Sequence, residues 1–147
     1  MTATTATLTT TQQRTIRIGL MGHGTVGSAF RKLLRDKGDA IAGSHGVRLR
    51  IDRILARKSR RGITTDVAAF LDGEYDCVVE ALGGTEPART LVAHFLPCGV
   101  PVVTANKALL AEHGAELRTF GTSLRGEAAI GAAIPLMGVL ERSRQRE

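Results

Sequence analysis

Three groups of residues have types and spacings that could do chemistry. "GHGTVG" places Gly22, Gly24 and Gly27 in a G-x-G-x-x-G spacing. Where a strand turns directly into a helix, that spacing serves a pyrophosphate. Gly22 permits the tight turn, Gly24 lets the phosphate approach the backbone, and Gly27 lets the helix pack against the strand. The free N–H groups of the helix start, at Thr25 and Val26, then face the phosphates. "LARKSRRG" carries Arg57, Lys58, Arg60 and Arg61 with no acid. Basic residues at the end of a second strand accommodate a ribose 2′-phosphate and point to NADP, whereas an Asp or Glu there accepts from both ribose hydroxyls and selects NAD. "VVTANKALL" breaks off from an apolar run into Thr104, Asn106 and Lys107. An ammonium group at the rim of a dinucleotide crevice can hold a substrate oxygen or help move its proton as hydride transfers. Each group also has a bland use: a flexible loop, a solvated basic loop, and a surface lysine starting a helix. His23 occupies a variable position of the turn, where an exposed side chain that merely fits is the better reading.

These groups act together only if the elements carry them to one rim. "TIRIGLM" (15–21) alternates and then turns apolar, as a strand entering a buried sheet does. Val26, Phe30, Leu33 and Leu34 then fall at helical spacing and predict the buried face of a helix. "VRLRIDRIL" (47–55) alternates again, "DCVVEAL" (76–82) reads as a buried strand, "PARTLVAHFL" (87–96) as a helix with proline in its first turn, and "VPVVTA" (100–105) as another strand. Strands separated by helices imply parallel βαβ units, so the fold class is α/β, a Rossmann-type doubly wound parallel sheet in a single domain. The binding crevice of such a sheet lies at the carboxyl ends of its strands. Glycine turn, basic loop and Lys107 all fall there. "EALGGTEPA" (80–88) joins them, because its Gly83–Gly84 turn can press its backbone against a nicotinamide ribose.

Composition bounds the rest. The 147 residues make one ordinary domain. Hydrophobic residues are 43% with no apolar run long enough for a membrane span, which predicts a soluble, cytoplasmic protein. Twenty Lys and Arg against 14 Asp and Glu give a formal charge of +6, which attracts phosphates of any kind. Aromatic residues are 3% and no basic helix stands out, which argues against nucleic acid as the partner. Cys77 and Cys98 lack zinc or redox spacing and read as reduced thiols. Residues 1–14 read as a disordered Thr-rich tail, 15–126 as the dinucleotide-binding domain, and 127–147 as a connection with a polar end.

In this order, four motifs resemble the homoserine dehydrogenase family from about Ile16 to Leu140: "GHGTVGS", "DCVVEALGGTEPA", "VVTANKALLAEHG" and "EAAIGAAIP". The resemblance implies the NAD(P)-binding half of an oxidoreductase that interconverts L-homoserine and L-aspartate 4-semialdehyde. It makes Lys107 a catalytic lysine. It also places Gly83, Gly84, Thr104 and Asn106 around the nicotinamide, and implies a sodium ion held by Glu127 with backbone oxygens at Ile130, Ala132 and Ile134. The departures are that only twelve residues separate "AEHG" from "EAAIG", that Ala133 stands at a family glycine, and that the sequence stops where a substrate and dimer domain is expected. Two readings follow. One is a homoserine dehydrogenase-type enzyme whose amino-acid substrate binds only when a substrate domain is supplied, through a homo- or hetero-oligomer or a longer product. The other is a stand-alone, catalytically inactive NAD(P)-binding module.

Overall fold

A computed structural model of the chain describes residues 13–120 and 123–130. In chain order the elements are β1 (Arg14–Met21), α1 (Thr25–His45), β2 (Val47–Leu55), α2 (Val67–Leu71) and β3 (Cys77–Glu80). They continue with α3 (Ala88–Phe95), β4 (Val102–Thr104), α4 (Lys107–Arg118), β5 (Leu124–Arg125) and α5 (Glu127–Ile130). The strands form one parallel sheet in the order β2-β1-β3-β4-β5. The chain leaves β1 towards one edge and returns to β3 on its other side, so the strand order reverses between β1 and β3. A crevice opens at such a point beyond the carboxyl ends of the strands. β1 starts at Arg14, within the stretch assigned to the tail, and the Gln13 side chain donates to the Ala42 carbonyl at 2.7 Å.

Both faces of the sheet are covered, unequally. On one, Phe70, Leu91, Val92, Phe95, Leu109 and Leu117 pack with Met21, Val78 and Val102 into the larger core. Phe70, Tyr75 and Phe95 stack tilted and edge to face at 5.1–6.0 Å, and the Tyr75 hydroxyl donates to the Phe70 carbonyl at 2.9 Å. Gly19 makes room for them: a Cβ there would come within 3.0 Å of the Tyr75 ring. On the other face, α1 lays Phe30 on Leu20, Ile54 and Ile63. The predicted face of α1 is rotated. Val26 and Leu33 are 53% and 47% exposed, while Gly27 and Ala42 are buried and Phe30 and Leu34 half-buried. The contact between Gly27 and the turn fixes the helix's rotation, leaving Val26 beside the crevice rather than under the helix.

β2 carries an irregularity opposite Ile18 and Gly19, whose partners are Ile51 and Arg53. Asp52 is the extra residue. Its carboxylate accepts from Arg17 Nε at 2.6 Å and Arg50 Nε at 2.7 Å. Cys77 is half-buried in β3, where burial pushes its thiol pKa up, and Cys98 is exposed; neither is in a disulfide. Among the described residues no helix is long and apolar enough to cross a membrane.

Candidate functional site

The three glycines of the turn do different jobs. Gly22, directly after β1, has φ +97°, and a Cβ on it would lie 2.3 Å from the Ala81 carbonyl oxygen. A Cβ on Gly27 would lie 2.1 Å from the Gly22 carbonyl oxygen. Both positions are closed to any side chain. Gly24 has an ordinary φ of −82° as the residue capping α1, and a Cβ there would meet nothing within 4 Å. Its backbone faces open space at the start of a 21-residue helix with no acid in its first turn. Unpaired N–H groups and the positive end of the helix dipole make that space suit an anion.

Two cavities meet at Gly24, Ala81 and Leu82. The first, about 280 Å³, runs from Gly22 and His23 to Arg57, Lys58 and Arg60. A tight turn shapes its far wall. Arg60 and Ile63 exchange backbone hydrogen bonds around Gly62, whose φ is +77°. Thr64 then bonds back to Ile54 and Ala56, so the basic loop is tied to the end of β2. Arg57, Lys58, Arg60 and Arg61 are exposed, and none of them forms an ion pair among the described residues. His23 departs from expectation. It is half-buried, and its Nε2 is covered without a hydrogen-bond partner among the described residues. A buried, unmatched ring nitrogen is costly; other parts of the His23 residue line the cavity.

The second cavity, about 390 Å³, runs from Thr25 and Val26 past Gly83 to Asn106 and Lys107. Gly83 and Gly84 have φ of +77° and +72°, a left-handed pair that only glycine adopts without strain. Asn106 spends every polar group: Oδ1 accepts from Leu109 N at 3.1 Å and caps α4, while Nδ2 donates to the Gly84 carbonyl at 2.6 Å. The cap points α4's first residue, Lys107, at the cavity, and Lys107 is exposed with no ion pair among the described residues. Thr104 lies behind the wall. It is 0% exposed, and its hydroxyl donates to Glu80 and accepts from Asn106 N at 3.0 Å.

Of the residues named from sequence, Gly22, Gly24, Arg57 and Lys58 line the first cavity. Gly24, Thr25, Val26, Gly83, Asn106 and Lys107 line the second. Gly27, Gly84 and Thr104 line neither; they hold the walls that do. Arg60, named with the basic cluster, also lines the first cavity, while sequence reasoning gave no role to Ala81, Leu82 or the fully buried Glu80. The signal for Glu80 was present: an acid ending an apolar strand just before two glycines must find donors. Of the proposed sodium set, Glu127 and Ile130 are the ends of α5, and Ala132 and Ile134 lie outside the described residues. Among the described residues no three His, Cys, Asp or Glu side chains cluster as metal ligands.

A parallel sheet with a switch point, a glycine turn open only at Gly24, and unpaired cations at the end of β2 define a dinucleotide-binding α/β domain. Residues 22–125 match the family model described as homoserine dehydrogenase, NAD binding domain, and the chain belongs to that family. The Corynebacterium glutamicum homoserine dehydrogenase is 40% identical over 141 residues, covering 87% of this chain and 32% of that protein. The Lactococcus lactis homoserine dehydrogenase is 32% identical, covering 88% of this chain and 34% of its own length. A crystal structure of the Thiobacillus denitrificans homoserine dehydrogenase superposes with a TM-score of 0.79 at 33% identity, covering 90% of this chain and 34% of that one. The chain spans about a third of the length of these relatives, the part that binds the nicotinamide cofactor.

Proposed function

We propose that the chain binds NADP across the two cavities and presents Lys107 to the reacting oxygen of homoserine or aspartate 4-semialdehyde. The observation that carries this reading is the run of open backbone at Gly24 between an unpaired basic loop and an unpaired lysine. The bound nicotinamide would supply the hydride acceptor or donor. The chain's own residues do the rest. N–H groups at Thr25 and Val26 hold the pyrophosphate, and Arg57, Lys58 and Arg60 take the 2′-phosphate. Gly83 lets the backbone approach the nicotinamide ribose. Lys107 holds the substrate oxygen and passes or takes its proton. Supplying the amino-acid contacts falls to the part of the enzyme beyond the matched third.

Calorimetry on the purified chain tests the cofactor. NADP should bind more tightly than NAD by roughly tenfold, the gain of one charge-assisted contact partly screened by water. Equal affinities, or tighter NAD binding, would take Arg57 and Lys58 out of the site. Raising the salt concentration should narrow the difference, because these cations are exposed.

A further inference from the structure

The Glu80 side chain is 0% exposed at the end of β3, the one buried carboxylate among the described residues. An aliphatic residue would fill that place without the cost of drying a carboxyl group. The carboxyl instead collects three donors from three segments. Leu82 N, in the turn after β3, donates to Oε1 at 2.8 Å. Asn106 Nδ2, at the cap of α4, approaches the same oxygen at 3.4 Å. The Thr104 hydroxyl, at the end of β4, donates to Oε2. Register explains the last contact, since Glu80 pairs directly with Thr104 across the two strands.

Leu82, Asn106 and the residue after it, Lys107, all line the second cavity. The Gly83–Gly84 turn has little else to hold it: a Cβ on Gly83 would meet nothing within 4 Å, and the Gly84 carbonyl hangs on the same Asn106 amide. We propose that Glu80 is a positioning residue for the nicotinamide half of the site, its carboxyl setting the Gly83–Gly84 turn and the cap of α4 at the separation the cofactor needs. The proposal rests on the dinucleotide reading above. It assigns Glu80 no contact with cofactor or substrate. Leu82 borders the first cavity as well, where the two meet, but the residues of its far, adenosine end, Gly22, His23, Arg57, Lys58 and Arg60, make no bond to Glu80.

That separation of the two ends gives the test. The chain and its Glu80→Gln variant are titrated with NADPH, which spans both cavities, and with adenosine 2′,5′-bisphosphate, which carries only the adenosine end. The glutamine keeps the shape but cannot accept from all three donors. NADPH affinity should fall roughly tenfold while that for the bisphosphate stays within about twofold. A purely structural carboxyl would give a different pattern, a lower melting temperature with both affinities kept or both reduced alike, and either result overturns the proposal. Should Glu80→Gln not fold by circular dichroism, Thr104→Val decides. It removes the hydroxyl between Glu80 and Asn106 N, and must show the same split or the proposal falls. A wild-type chain that binds neither probe would remove the dinucleotide reading and this role with it. Binding of both probes without a split in the variants would remove Glu80 alone.

Discussion

At Gly24 a side chain would enter empty space, whereas at Gly22 and Gly27 it would strike backbone oxygens at 2.3 and 2.1 Å. Gly24→Val should therefore fold like the wild type and lose NADP binding by roughly a hundredfold, because the valine occupies the place where phosphate meets backbone. Gly27→Ala should do the reverse in order of cause, losing about 2–4 kcal/mol of stability through a backbone clash and binding only as a result. Paired melts and titrations separate them, and a Gly24→Val chain that binds normally would put the crevice elsewhere. Lys107→Ala should leave cofactor affinity within about twofold, since the ammonium is exposed and, under the proposed function, faces the substrate rather than the cofactor. The spacing of the glycines was readable in the sequence because turn chemistry is local. The fate of Thr104 was not: "TANK" says nothing about which side chain turns inward, and the hydroxyl is committed to Glu80, a residue 24 positions away. His23 was misjudged for the same reason, as the loop from 56 to 64 that helps enclose its cavity is remote in sequence.

Elements were legible where pattern and packing agree. β2 runs from Val47 to Leu55 as its alternation demands, and the prolines and glycines around α3 and β4 bracket them to within two residues. The rotation of α1 was hidden because its apolar residues are spread over more than one face, and Gly27, which carries no side chain to signal burial, decides which face turns inward. α2 and the turn at Gly62 are too short for periodicity to show. The irregularity at Asp52 was also invisible, yet it has a measurable consequence. Partial burial pushes the Asp52 carboxyl up, but hydrogen bonds from the Arg50 and Arg17 guanidiniums outweigh it and hold the pKa below the ordinary 3.8. A depressed carboxyl pKa stabilises the fold fully above the unfolded value, and the effect is lost as pH falls through the folded one. Asp52→Asn should cost about 1 kcal/mol at neutral pH, the upper end for exposed ion pairs and below the usual worth of a charged hydrogen bond, because both arginines are substantially exposed. Melting curves of wild type and variant should converge as the solution is taken below pH 3.8. A gap that persists unchanged in acid would mean the carboxylate charge is irrelevant and only the shape of the irregularity matters.

Across the described residues, the two cavities and Lys107 meet at one end of a five-stranded sheet. Hydride transfer needs the hydroxyl carbon of homoserine held against the nicotinamide ring, and such positioning supplies about 7–11 kcal/mol of a barrier. Lys107 is the one charged side chain lining the second cavity among the described residues, and no carboxylate there could receive the amino group of homoserine. One ammonium can hold the reacting oxygen but cannot also orient an amino and a carboxylate group several bonds away. The 147-residue chain is therefore expected to bind NADP and yet oxidise homoserine at no measurable rate, although it carries the lysine. Turnover should appear when the remaining two thirds of a relative, such as the Corynebacterium glutamicum enzyme, is added as a separate polypeptide. In that mixture Lys107→Ala should lower kcat by roughly a hundredfold or more with little change in the affinity for NADP, the pattern of a group acting in the transition state. The assay is the change in nicotinamide absorbance with homoserine and cofactor in excess. Turnover by the chain alone, abolished in Lys107→Ala, would show that copies of it complete the site for one another. Cofactor binding with no turnover in any mixture would leave a dinucleotide-binding module in which the lysine does no chemistry.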